Sequence, residues 1–221
     1  MTNKNKLIVA LGFGIGGAIW GLEAYRGTVG SDEVFTNPFS YILGAVAMAV
    51  CGGIALVYIE NKRLNQRLSR LFLSGKTTKI VGLGLVGWIV AFMVPAVWVE
   101  WIMTLGAILI MGLVLLGGIF TLDLVPFITL NPSLLVGHLW FEFLITGAII
   151  GLIYAFLIKA KILKGILYGA GGFALASLLG PILGNIAGNI FGSLFVSYII
   201  TFTVIGVVFG KFLAFGMKRP S

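Results

Sequence analysis

Phe39-Ser-Tyr-Ile-Leu-Gly44-Ala-Val-Ala-Met48-Ala-Val-Cys51-Gly-Gly-Ile-Ala-Leu-Val-Tyr-Ile59 runs for 21 residues without a charged side chain. As an α-helix rising about 1.5 Å per residue, such a run reaches roughly 30 Å, the thickness of a bilayer's hydrocarbon core. The rest of the chain is written in the same style. Apolar stretches near 7–25, 80–99, 102–120, 139–158, 163–179 and 182–210 give six more spans. Of the 221 residues, 59% are hydrophobic and only 10% charged, and the mean hydropathy is +1.11. Soluble domains carry about 25% charged residues, so the expected fold class is all-α: a polytopic integral membrane helical bundle.

No hydrophilic stretch is long enough for a separate soluble domain, so residues 1–221 read as a single transmembrane domain. Lys4 and Lys6 before Leu7–Ile15 resemble the start of a signal peptide, but the stretch reads as the first span. One Cys (Cys51) excludes an internal disulfide framework, and one His (His138) excludes bis-His haem ligation and zinc His clusters. No cofactor or metal is expected. The net charge of +8 does not call for nucleic acid, because the basic residues fall in short loops between spans.

Between the fourth and fifth spans lies 122–136, apolar but interrupted by Asp123, Pro126, Asn131 and Pro132. Fifteen helical residues reach only about 22 Å, so alone it would be a loop. Charge parity argues that it crosses as a short Pro-broken membrane segment. With eight crossings and the N-terminus inside, 14 of the 15 Lys and Arg residues lie inside, and only Arg26 lies outside. Both termini are then cytoplasmic, with the protein in the cell membrane. Broken helices are tolerated at membrane depth where they are buried in protein or line a wet cavity.

A candidate internal repeat links the halves 7–99 and 139–210. Gly17-Ala-Ile-Trp-Gly21-Leu22 matches Gly147-Ala-Ile-Ile-Gly151-Leu152, and Lys79-Ile-Val-Gly82 echoes Lys161-Ile-Leu-Lys-Gly165. Such halves are common in transporters. Gly12-Phe-Gly14-Ile-Gly16-Gly17 and Gly82-Leu-Gly84-Leu-Val-Gly87 fit a dinucleotide-binding fingerprint literally. That fingerprint needs a preceding strand and a helix start at a pyrophosphate, so inside spans these read as packing glycines.

Gly180, Gly184, Gly188 and Gly192 recur every fourth residue and form a smooth helix-packing stripe. Pro181 suits the first turn of that helix. Asn185 and Asn189 form a polar stripe beside the glycines, which reads either as an interhelical lock or as the interior of a pathway, with Asn131 from the broken segment. From Glu60 to Lys79, leucines at helical spacing alternate with Lys62, Arg63, Arg67 and Arg70. This predicts a basic amphipathic helix on anionic lipid headgroups at 60–79.

Glu23, Glu100, His138 and Glu142 lie near the outer face and are the candidate mouth of a pathway. Each also has a plain account: Glu23 pairs with Arg26 three residues on, Glu100 sits in an interfacial Trp98/Trp101 anchor, and His138 and Glu142 are four apart on one helix. No Ser/His/acid order and no paired metal carboxylates point to catalysis. The expected function is transport of a cation or small polar solute, as a channel or carrier. The alternatives are a non-catalytic subunit of a membrane complex, with homo-oligomeric or membrane-complex partners, and a lipid-modifying membrane enzyme.

The topology has a direct test. In a Cys51→Ala background, Lys161→Cys stays unreactive toward a membrane-impermeant thiol reagent added outside intact cells; labelling there overturns the eight-crossing arrangement.

Overall fold

The computed structural model describes residues 2–29, 38–63, 75, 77–93 and 132–217. The described residues form six helices and no strand. They are α1 (Asn3–Val29), α2 (Pro38–Arg63), α3 (Thr77–Met93), α4 (Pro132–Leu157), α5 (Ile162–Phe191) and α6 (Leu194–Gly216). Four segments are long and apolar enough to cross a membrane: Asn3–Gly27, Ile42–Ile59, Ile162–Phe191 and Leu194–Gly216. The chain is a helical membrane protein. Its lipid-side surface is apolar, as Leu7, Leu11, Ile15, Leu163, Leu167 and Phe156 show by their exposure.

Several boundaries differ from those expected. Pro181 does not begin a helix but lies inside α5, which runs unbroken through Gly180-Pro181. The break falls eleven residues later, at Gly192-Ser193. Gly192 adopts φ +60°, a left-handed conformation open to glycine, and its N–H bonds back to Gly188 O. Ser193 then caps α6, its Oγ accepting from Val196 N at 3.4 Å. A proline inside a helix forfeits one backbone bond, yet such prolines are tolerated where neighbouring helices support the backbone. Near the other end, Pro132–Val136 form the first turns of α4, so this part of the expected broken segment continues into a long helix. Residues 102–120 and 122–131 lie outside the described residues. Lys62 and Arg63 end α2 rather than opening a separate surface helix, Lys79 lies in the first turns of α3, and Arg67 and Arg70 are outside the described residues.

Glycines set how close the helices come. A Cβ on Gly16 would lie 2.8 Å from Ala47 O, and one on Gly12 2.9 Å from Cys51 O, so α1 runs antiparallel to α2 with backbones touching. Gly17 and Gly21 meet Phe202 and Tyr198 of α6 in the same way. Gly147 and Gly151 of α4 interlock with Gly165 and Gly169 of α5. Gly180, Gly184 and Gly188 receive Thr201, Ile205 and Ser197 of α6, which accounts for three of the four stripe positions. Lipid offers no hydrophobic drive for helices to associate, so close van der Waals contact through small residues supplies it. Of the fingerprint-like glycines, Gly82 faces open space while Gly12, Gly14, Gly16, Gly17, Gly84 and Gly87 meet side chains or backbone of neighbouring helices.

The repeat motifs act alike locally but not in corresponding places. In halves 7–99 and 139–210, the motif matches pair α1 with α4 and α3 with α5. Gly17 packs on α6, whereas its match Gly147 packs on α5. Gly82 is open, whereas its match Gly165 is pressed against Gly151 and Ala155. The shared hexapeptide is a packing cassette in both helices.

These contacts also orient every helix. α1, α3 and α5 start, and α2, α4 and α6 finish, at one end of the bundle. Nine of the ten described Lys and Arg residues lie toward that end, from Lys4 to Lys211, and Arg26 alone lies at the other.

The packing predicts a graded glycine series. Gly184→Leu and Gly188→Leu each destabilise the protein by about 1–3 kcal/mol, the usual cost of overpacking. Gly82→Leu and Gly171→Leu, where nothing lies within 4 Å of the added Cβ, leave the thermal midpoint unchanged. Equal effects at all four positions would sink this assignment of helix faces.

Candidate functional site

Rings from five helices fill the centre of the bundle. Phe13 of α1 meets Tyr154 of α4 at 5.8 Å and Phe209 of α6 at 5.4 Å, both edge to face. Trp88 of α3 lies 5.6 Å from Phe209 and 6.1 Å from Phe173 of α5. Phe173 and Phe209 close the set at 5.5 Å. All five residues are at most 2% exposed. Tilted and T-shaped rings at these spacings attract through their quadrupoles, about 0.5–1.5 kcal/mol per pair beyond burial. Trp20, Phe92 and Phe202 continue the cluster toward the end that carries Arg26.

Two polar atoms are enclosed there. Gly84 leaves a notch on α3 that the Tyr154 phenol occupies; a Cβ would sit 2.9 Å from its Oη. Trp88 is one turn further along α3, and its indole Nε1 and the Tyr154 Oη lie side by side without reaching an aligned hydrogen bond. Thr203 Oγ1 is also buried and unpartnered. By contrast, Thr146 Oγ1 donates to Ala91 O at 3.0 Å, tying α4 to α3. Each unpaired buried group costs about 1–3 kcal/mol, so the surrounding ring packing must outweigh them.

The structure distributes the expected site residues between this centre and the bundle surface. Glu23 is bound to Arg26 by a 3.0 Å ion pair across one helical turn, the plain account of that residue. His138 and Glu142 share α4, one turn apart. Glu100 and Asn131 lie outside the described residues. Asn185 and Asn189 share one face of α5 and are exposed on the bundle, away from the aromatic centre. Pro181 stands on the same face one turn before Asn185, and having no N–H it leaves the Ser177 carbonyl without its helical donor. Ser177 O, Asn185 and Asn189 thus form a row of polar groups along the C-terminal half of α5. No group of three His, Cys, Asp or Glu that could hold a metal ion occurs among the described residues.

No protein-family model matches the chain, and neither a curated protein nor a solved structure does. Function is therefore argued from the site alone.

Sequence reasoning missed the aromatic centre, because its members are single residues on five helices with no spacing in common. The one available signal was the placement of Phe13 and Trp88 among small residues in spans one and three. If the hydroxyl of Tyr154 is unpaired as described, Tyr154→Phe keeps or raises the thermal midpoint. Trp88→Ala costs about 3–5 kcal/mol by opening a cavity at the ring junction. A clear loss of stability in Tyr154→Phe would show a bonded hydroxyl.

Proposed function

We propose that the protein is a non-catalytic subunit of a membrane complex, joined to its neighbour through the outward face of α5. The observation that carries this reading is the pairing of a ring-filled centre with an amide row on the outside. A membrane helix that presents two amides to its surroundings gains by pairing them across a helix–helix contact, worth about 0.6–2 kcal/mol each. The occupant that fits is a second copy of the chain. Asn donates and accepts at once, so the same stripe on two copies is self-complementary. About a two-fold axis along the membrane normal, equal positions meet, and each amide faces its own counterpart. The orientation follows from the lysine-rich end, which belongs in the cytoplasm together with both termini.

A second reading, transport of a cation or small polar solute, draws on the same row. The Ser177 carbonyl and the two amide oxygens are neutral oxygen ligands, which suit monovalent cations and polar solutes better than transition metals. On this reading the path runs along the α5 face between copies, with Glu23, Glu100, His138 and Glu142 at its outer mouth.

Cross-linking separates the two. In a Cys51→Ala background, Asn185→Cys and Asn189→Cys each give a disulfide-linked dimer on mild oxidation of native membranes, while Leu7→Cys on exposed α1 does not. A monomer at both α5 positions overturns the subunit reading. Reconstituted liposomes then decide for transport: flux that falls at every salt concentration in Asn189→Leu supports it, and no flux of any ion or solute removes it. Joint neutralisation of Glu100 and Glu142 lowers such flux mainly at low ionic strength, where a mouth of acids steers cations.

A further inference from the structure

At the lysine-rich end, α1, α5 and α6 meet around two stacked rings. Tyr168 of α5 and Phe215 of α6 lie 6.3 Å apart and within 20° of parallel, each more than a third exposed. The Lys6 ammonium of α1 sits 3.7 Å above the Phe215 centroid. Lys164 precedes Tyr168 by four residues and Lys211 precedes Phe215 by four, so each ring has an exposed lysine one turn away on its own helix face. Gly216 holds the two helices together here, against Lys164 O and the Tyr168 side chain. Three lysines on three helices thus lie at the same end of the bundle as this aromatic pair, one of them directly over a ring. Among the described residues none of them has a carboxylate partner; the ion pair between Glu23 and Arg26 is at the opposite end.

We propose that this corner binds one anionic diacyl phospholipid. Lys6, Lys164 and Lys211 hold its phosphate, and its acyl chains lie along Leu163 and Leu167 of α5, next to Lys164 in the chain. Those two side chains are 68% and 62% exposed. Charge complementarity selects the occupant. A lysine pointing out of an apolar helix near the membrane surface is stabilised by an anionic headgroup at the same depth, and basic pockets between helices on the cytoplasmic side are suited to such lipids. The exposed aromatic pair marks the headgroup level, where Tyr and other amphipathic rings collect. Lys6 rests on Phe215 by a cation–π contact, which holds its charge toward the corner. The site does not depend on how α5 is partnered, being at the other end of that helix from Asn185 and Asn189.

Native mass spectrometry of the delipidated full-length chain tests this with phosphatidylglycerol, phosphatidylcholine and inorganic phosphate. Phosphatidylglycerol binds at least about tenfold more tightly than phosphatidylcholine, and millimolar phosphate does not displace it. The triple variant Lys6→Gln, Lys164→Gln, Lys211→Gln weakens that binding about tenfold. A control with the same charge change at the same end, Lys4→Gln, Lys159→Gln, Lys161→Gln, stays within about twofold. Phe215→Leu, which keeps every charge, weakens binding about threefold and guards against misfolding of the triple variant. Equal losses in the two triple variants would mean diffuse attraction and overturn the site. So would an absent preference for phosphatidylglycerol, and displacement by phosphate would make it a free-anion site instead.

Discussion

Everything else in this bundle depends on backbone touching backbone through glycine. In water, burial of apolar surface drives helices together; in lipid that drive is absent, and the remaining attraction falls steeply with distance. Glycines at the helix crossings are the device that shortens the distance. Gly147 and Gly151 against Gly165 and Gly169, and Gly17 and Gly21 against the α6 backbone, place helix axes close enough for continuous contact. Once α1, α4, α5 and α6 are locked in this way, the side chains between them have no freedom about where to point.

The aromatic centre follows from that lock. Phe13 lies on α1 between the α2-facing Gly12 and Gly16 and the α6-facing Gly14 and Gly17, so its ring is directed inward, and Gly52, Gly206 and Gly210 leave room for it. Small residues at the rim and large rings at the centre are two sides of one arrangement. The consequence for function is that the described centre is filled with rings, while the polar groups that can meet a partner lie on the surface. The amide row of α5 and the lysine corner are both on the outside, at opposite ends. The argument for function therefore turns outward, to what the bundle meets.

The fold class was legible because it rests on composition and on uncharged run length, which no tertiary detail can disguise. Pairing of Glu23 with Arg26 was equally legible, since a spacing of three settles it within one helix. Helix limits near 160–216 were harder to read. Between Lys164 and Lys211 no charge punctuates the chain, and Pro181 resembles a helix start more than a helix interior. The true stop and restart, Gly192 followed by Ser193, carries the ordinary signals of a left-handed cap and an N-cap, but Gly192 also completes a four-residue glycine period and was absorbed into it. Spacing also put Asn185 and Asn189 on one face correctly. It could not say which neighbour that face meets, because a helical wheel has no outside until the other helices are placed.

The orientation of the helices carries a further consequence for topology. α3 rises from the lysine-rich end and α4 returns to it, so α3 finishes and α4 starts at the same end, the one that carries Arg26. Packing fixes which residues share an end of the bundle, and charge alone chooses the side of the membrane: the positive-inside rule sets a lysine-rich end in the cytoplasm, and the proposed lipid corner rests on that rule rather than on any helix contact.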